Sequence, residues 1–236
     1  MRYLIVSDLH GYKERFVTLY SFLSRRGWNM DNDSYELSPP NEDETLVSLG
    51  DMVDYGDVPN IHLFAEQMHN PFVISLMGNH DEKLLRYVTT GNATLRNGFQ
   101  ETLDLIKSGS DATKKHRIFP RLENFLTTRP YFIREKHFIG VHAYPSQKDS
   151  RLCIYGKVIN TPNNEDSPPQ RVPWWETEEN KWGLPVFYGH YHAKLDQFDY
   201  EKKFFCLDNW DAGKMSVAIV ESTGEFEILN IDVIKD

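Results

Sequence analysis

Five short apolar runs punctuate the chain, and each stops at a ligand-type polar residue. Tyr3-Leu4-Ile5-Val6 runs into Ser7-Asp8-Leu9-His10-Gly11, and Leu46-Val47-Ser48-Leu49 into Gly50-Asp51-Met52-Val53-Asp54. Phe72 to Met77 leads to Gly78-Asn79-His80-Asp81, Phe138-Ile139-Gly140-Val141 ends at His142, and Val186-Phe187-Tyr188-Gly189 ends at His190-Tyr191-His192. Short runs of this kind predict buried strands, and α/β sheets gather their sites just past the carboxyl ends of such strands. Helical spacing predicts a helix over Lys13 to Arg26, with Phe16, Leu19, Tyr20 and Leu23 on one face and Gly27 to end it. Further helices are predicted over Pro59 to Met68, from near His80 through Tyr87, over Phe99 to Ile106 and over Phe119 to Leu126. Asn29 to Glu44, polar and holding Pro39-Pro40, reads as a loop.

From Tyr131 onward the period changes. Tyr131 to Ile133, His137 to Val141, Phe204 to Leu207, Met215 to Val220 and Phe226 to Ile231 read as strands with short connections. An α/β first half followed by a strand-rich second half predicts two sheets packed face to face with helices outside. The expectation is one domain spanning 1–236, with a long Pro-bearing insert at about 143–184.

Composition narrows the chemistry. The 236 residues hold no run near the roughly 18 apolar residues of a membrane span, and the first residues lack a signal-peptide pattern. Cys153 and Cys206 give neither a disulfide framework nor zinc spacing, so a cytoplasmic protein with two buried thiols is expected. A net charge of −9 argues against broad adhesion to nucleic acid or membrane. The basic runs Lys114 to Arg117 and Lys202-Lys203 read as solvated surface. A phosphorylated ligand remains compatible, because two divalent ions over the carboxylates of Asp8 and Asp51 leave a site charge of about +2.

On an extended segment Asp8 and His10 would face one side, and His190 and His192 repeat that spacing. Asp51 offers two oxygens and could bridge two ions; Asn79 offers an amide oxygen, His142 and His190 imidazole nitrogens. Oxygen and imidazole donors without thiolate suit Mn, Fe, Zn, Co or Mg, with no ground for choosing among them. Two such ions clamp a phosphoryl group and acidify a shared water, so that hydroxide attacks phosphorus. His80, beside Asn79 but not needed as a ligand, is the candidate acid for the leaving oxygen, with Asp81 to orient its ring and raise its pKa.

Asp-x-His (Asp8/His10), Gly50-Asp51, Gly78-Asn79-His80-Asp81, the lone His142 and Gly189-His190-Tyr191-His192 together resemble the calcineurin-like metallophosphoesterase family over nearly the whole chain. The branch it resembles is that of Ser/Thr phosphatases and diadenosine tetraphosphatases. Gly78 to Arg86, Val172 to Trp175 and Leu207-Asp208-Asn209 are similar to the phosphatase module of bacterial polynucleotide kinase-phosphatases. The resemblance implies a four-layer α/β/β/α sandwich of two mixed sheets flanked by helices. It also implies a dinuclear centre, with manganese foremost in vitro and nickel a further option. The implied activity is hydrolysis of phosphomonoesters on a small molecule, a nucleotide, a nucleic-acid end or a phosphoprotein. The alternatives are a dinucleoside polyphosphate hydrolase, a cyclic-nucleotide phosphodiesterase, or a non-catalytic binding module on the same fold.

Two departures stand out. The branch places a phosphate-gripping arginine where this chain has Tyr55, so either Arg86, Arg129 or Tyr55 itself contacts substrate, with Asp208 a further candidate, or the substrate differs from that of the branch. His192 supplies the second histidine of the wider diesterase pattern and is expected beside Asp8 and His10. Trp174, Trp175 and Trp182 read first as staples of the insert and second as a stacking surface.

Overall fold

A computed structural model describes residues 1–30, 37–55, 70–93, 98–108, 122–157, 174–192 and 198–235. The strands are β1 (Arg2–Val6), β2 (Asn29–Met30), β3 (Leu37–Ser38), β4 (Glu44–Ser48), β5 (Val73–Ser75), β6 (Phe132–Arg134), β7 (Ile139–Val141), β8 (Val186–Tyr188), β9 (Phe198–Asp199), β10 (Phe204–Cys206), β11 (Lys214–Val220) and β12 (Phe226–Asp232). The helices are α1 (Lys13–Arg25), α2 (Asn79–Thr90), α3 (Phe99–Ser108), α4 (122–128), α5 (Ser150–Tyr155) and α6 (Trp174–Thr177). One sheet has the order β12-β11-β1-β4-β5, the other β6-β7-β8-β10-β9. No described helix is long and apolar enough to cross a membrane.

Strand alternation builds the layers, since successive side chains point to opposite faces. In β1, Leu4 and Val6 pack with Phe16, Leu19 and Leu23 of α1, while Ile5 joins the cluster between the sheets. In β11, Val217 and Ile219 face α1, while Ala218 and Val220 face inward. The second sheet repeats this: Phe187 and Phe205 point inward, whereas Val186, Tyr188, Phe204 and Cys206 point out toward Cys153 of α5 and Trp174 of α6. The four-layer order therefore follows from apolar strands with both faces covered. A further cluster of Met52, Val53, Leu84, Phe99, Leu103, Leu122 and Leu126 joins α2, α3 and α4 beside the carboxyl ends of the first sheet.

Some elements differ from expectation. Within the expected loop Asn29 to Glu44, β2 and β3 pair antiparallel, with Met30 opposite Leu37. Two-residue strands are too short for a period to show. The insert carries α5 and α6, also shorter than a readable helical pattern. The helix expected over Pro59 to Met68 lies outside the described residues, as do Lys114 to Arg117. Lys202 is not merely solvated: its Nζ donates to the carbonyls of Trp175 and Glu176.

Trp174 staples the insert. It is fully buried, donates Nε1–H to the Ala143 carbonyl at 2.9 Å and packs its ring 4.9 Å from Phe204 and 5.1 Å from Tyr188. Trp174→Ala should lower unfolding free energy by about 3–5 kcal/mol in urea titrations; a loss below about 1 kcal/mol would show that the insert is not anchored there.

Candidate metal centre

β1, β4 and β5 run parallel in one sheet, and β7, β8 and β10 run parallel in the other. Their carboxyl ends therefore release loops along two neighbouring sheet edges, and backbone bonds join those loops. His10 N–H donates to Asp51 O at 2.8 Å, Gly11 N–H to Asp54 O at 2.7 Å, and Gly189 N–H to His142 O at 2.9 Å. Close approach is required at two glycines. A Cβ at Gly78 would collide with the Asp51 carboxylate, and one at Gly189 with Ser7 Oγ and Asp8 Oδ2.

The loops turn sharply. Asp8, His10, Asp51, Asp54, Tyr55, His190 and His192 all have φ between 45° and 71°. Left-handed backbone in non-glycine residues concentrates where surrounding structure holds it for function. It also changes the basis of one expectation. Asp8 and His10 do come together, but through a turn and not through the alternation of an extended segment.

Two ligand triads share one carboxylate. Asp51, His142 and His190 each present a ligand atom within 4.8 Å of the others, and so do Asp8, His10 and Asp51. Asn79 Oδ1 lies 3.0 Å from His142 Nε2, and His190 Nδ1 lies 3.2 Å from it. Carbonyls fix two of the rings. His10 Nδ1 lies 2.9 Å from Val53 O and His142 Nδ1 lies 3.1 Å from Leu49 O, which leaves each Nε2 as the nitrogen that could ligate a cation. The Asp8 carboxylate accepts the Ser7 hydroxyl and the His190 N–H.

The electrostatics fit divalent cations. Burial alone would raise the Asp51 pKa, but His142, His80 and His10 outweigh it and hold the carboxyl well below its usual range. Asp8 has less compensation: burial and the neighbouring Asp208 push it well above. Asp208, buried, is raised by the same desolvation. Carboxylates packed this tightly with oxygen and nitrogen lone pairs converging lack positive charge, which a bound ion supplies.

His80 stands outside both triads. Its backbone N–H donates to Asp51 Oδ1 at 2.8 Å, and its Nε2 lies 3.9 Å from Asp51 Oδ2. Its Nδ1 meets Asp54 Oδ2 at 2.6 Å, and Asp54 also accepts from Lys83 Nζ at 3.0 Å and Thr102 Oγ1 at 3.1 Å. Burial lowers the His80 pKa, but the bond to Asp54 and the charges of Asp51 and Asp54 more than reverse it, and the net shift is upward.

Asp81 does not orient the His80 ring as expected; Asp54 does. Asp81 accepts from the backbone N–H groups of Asp51, Met52 and Gly78, and ion-pairs with Arg129 at 2.9 Å. From the first turn of α2 its carboxylate reaches back to the preceding loop, so it braces the Asp51 turn and leaves the imidazole to Asp54. Arg129 is thereby spoken for, and Arg86 is exposed and 3.6 Å from Glu82. Tyr55 instead packs its ring 5.1 Å from His10 and 5.2 Å from His80. His192 belongs to neither triad: its side chain is 62% exposed and Nδ1 lies 3.4 Å from Asp211. Asp208 accepts the His192 backbone N–H at 2.8 Å. Sequence reasoning also passed over Arg15, whose guanidinium donates to the Asp8 carbonyl at 2.6 Å. Asp54 closes the quoted Gly50-to-Asp54 motif and was visible; Lys83, Thr102 and Arg15 carried no local signal.

The calcineurin-like phosphoesterase family profile matches residues 1–220. The asymmetrical bis(5'-nucleosyl)-tetraphosphatase PrpE of Bacillus velezensis is 27% identical over 209 residues, which cover 82% of this chain and 79% of the relative. The protein of the same name from Bacillus cereus strain Q1 is 27% identical over 214 residues, 84% of this chain and 82% of the relative. A metallophosphoesterase from Sphaerobacter thermophilus superposes with a TM-score of 0.55 at 18% identity, covering 99% of this chain and 90% of the other, and so supports the fold. A match of this length, over triads that share Asp51, places the chain in the calcineurin-like phosphoesterase family, as a metal-dependent phosphoester hydrolase.

Proposed function

We propose that this chain hydrolyses dinucleoside polyphosphates over a pair of divalent cations held on either side of Asp51. The observation that carries the reading is the sharing of Asp51 by two triads while His80 stands clear of both. The substrate class rests on the tetraphosphatase relatives, which match four-fifths of the chain at 25–27% identity. Asp8, His10 and Asp51 would hold one ion, and Asn79, His142, His190 and Asp51 the other; manganese is the first ion to try. When bound, the pair would polarise phosphoryl oxygens and acidify the attacking water.

The protein's own groups supply the rest. The Asp51 turn is fixed by Asp81, so its two oxygens keep their directions. His80 holds a proton on Nδ1 through Asp54, which turns Nε2 toward the site. Its pKa is shifted upward by Asp54 and Asp51, which favours the protonated ring that can donate from Nε2 to the leaving oxygen. Asp54 is a positioning residue in this scheme, and Lys83 and Thr102 hold Asp54. Phosphomonoesters would use the same groups.

The two carbonyl-anchored histidines start from opposite protonation states. Burial lowers His10 to about 4, so it is neutral and ready to coordinate. Burial also pulls His142 down, but Asp51 and Asp8 outweigh it and raise it to about 9. A folded-state pKa above the working pH means that His142 must give up its proton before Nε2 can bind an ion.

Titrating Mn²⁺ into metal-free protein near pH 7.5 should therefore release about one proton per chain from His142, besides any lost from bound water, and the His142 share should fall to about half near pH 9. Calorimetry in buffers of different ionisation enthalpy reads that number; zero release at pH 7.5 would contradict the assignment. Asp51→Asn should lose bound metal, measured by elemental analysis, together with activity; full turnover in that variant would remove Asp51 from the bridge. His80→Ala should retain metal and slow esters with poor leaving groups by about 10²–10⁴-fold, with much less effect on nitrophenyl esters. Asp54→Asn should show the same leaving-group pattern in weaker form, and equal slowing of all esters would refute proton donation through this pair. With Mn²⁺, diadenosine tetraphosphate should be turned over with a higher kcat/KM than p-nitrophenyl phosphate; the reverse order would favour a monoesterase.

A further inference from the structure

We propose that Tyr55, Tyr12 and the cavity beyond them form a nucleoside subsite, in which a purine base stacks on the tyrosine face while its phosphates extend to the metal centre. The proposal rests on the nucleotide reading above and deepens it. The aromatic face begins at the reactive groups: Tyr55 lies 5.1 Å from the ring of His10 and 5.2 Å from that of His80. It continues to Tyr12, whose ring is 6.4 Å from Tyr55 and within 5° of parallel with it. Both rings are half-buried.

Tyr12 also lines a cavity of about 500 Å³, bounded further by Arg15, Trp210, Asp211 and Lys235. Its volume falls in the range of small-ligand sites, roughly 300–1,000 Å³. The walls are anchored to the backbone. Arg15 lies with its guanidinium 4.2 Å over the Tyr12 ring and 4.8 Å over the Trp210 ring, and is tied to the Asp8 carbonyl. Trp210 is buried and donates Nε1–H to the Ser7 carbonyl. Both anchors are backbone atoms of the loop that carries Asp8, so the cavity and the metal ligands are set by one segment.

The lining chemistry selects the ligand class. Arg15 and Lys235 are balanced by Glu14 and Asp211, so the cavity has no net attraction for a phosphate. It offers aromatic and guanidinium surfaces together with side chains that donate and side chains that accept. A nucleobase with its ribose has that complement: a stacking face, ring nitrogens that accept, and amino and hydroxyl groups that donate. Position supports it as well. The face starts where the phosphate must sit and leads away from it, and Tyr55 occupies the place in the second motif where a cationic grip on phosphate would otherwise stand.

The test uses competitive inhibition of the Mn²⁺-loaded enzyme by AMP and by ribose 5-phosphate, which differ only by the base, against a chromogenic diester. AMP should bind more tightly by about 5–150-fold, the range for one stacked base. Tyr12→Leu should bring that ratio toward one and Tyr12→Phe should keep it. Saturation-transfer NMR of adenosine with metal-free protein should show the strongest transfer to the base protons, reduced in Tyr12→Leu. Equal inhibition by AMP and ribose 5-phosphate in the unmodified enzyme, or a ratio that survives Tyr12→Leu, overturns the subsite. Should Tyr12→Leu fail to fold, the unmodified enzyme's ratio and the adenosine spectrum still decide. Turnover of the diester with none of diadenosine tetraphosphate, by contrast, overturns the nucleotide reading itself.

Discussion

A single buried carboxylate sets the terms for the rest of the molecule. Asp51 is 2% exposed, sits on left-handed backbone and is kept ionised by three histidines. An isolated charge in such a place is expensive, and it persists only when partners surround it. Each partner arrives from a different strand end: His10 after β1, His80 after β5, His142 after β7. The backbone beneath Asp51 is fixed by Asp81, and Asp81 by buried Arg129. A line of alternating charge thus runs from Arg129 through Asp81 to the Asp51 turn and ends at the metal triads.

The layered fold makes that convergence possible. Ile5, Val47 and Leu49 of the first sheet pack against Phe138, Phe187 and Phe205 of the second, so the two sheet edges stand at a fixed spacing. The loops then close the remaining gap by backbone contact, which is why Gly78 and Gly189 have no room for a side chain. Packing energy in the interior and coordination geometry at the edge are coupled here. A change that slides one sheet on the other would separate His142 and His190 from Asp8 and Asp51 before it exposed much apolar surface.

Much of this was legible in the chain, for physical reasons. Strands buried on both faces show as short apolar runs, and their ends marked the residues that the two triads bring together. The triads, the sheets in the second half and the helix over residues 13–25 follow from such patterns. Other parts leave no trace in local sequence. The β2–β3 pair and helices α5 and α6 are shorter than the period that would reveal them. The partner of His80 depends on which carboxylate reaches the imidazole in three dimensions. Asp81 is adjacent in sequence but faces the backbone of residues 51, 52 and 78, whereas Asp54, 26 positions away, lies on Nδ1. Residues in the first turn of a helix point back toward the loop before it, so a neighbour in sequence need not be a neighbour in the site.

On the proposed reading, the distribution of cations would give the base weight in substrate choice. Arg129 is bound by Asp81, Lys83 by Asp54, Arg86 by Glu82, and Arg15 by the Asp8 carbonyl. Each of these groups has its charge committed to holding the scaffold. Where an arginine fork grips phosphate, much of the binding energy is spent on a group common to every substrate and discriminates little among them. With Tyr55 in that place, charge recognition would fall to bound ions and to His80, and the contact surface that the described residues add beside them is Tyr55 and Tyr12. Such a surface discriminates by the planarity of what is attached to the phosphate, which is the property that separates a nucleotide from other phosphorylated small molecules.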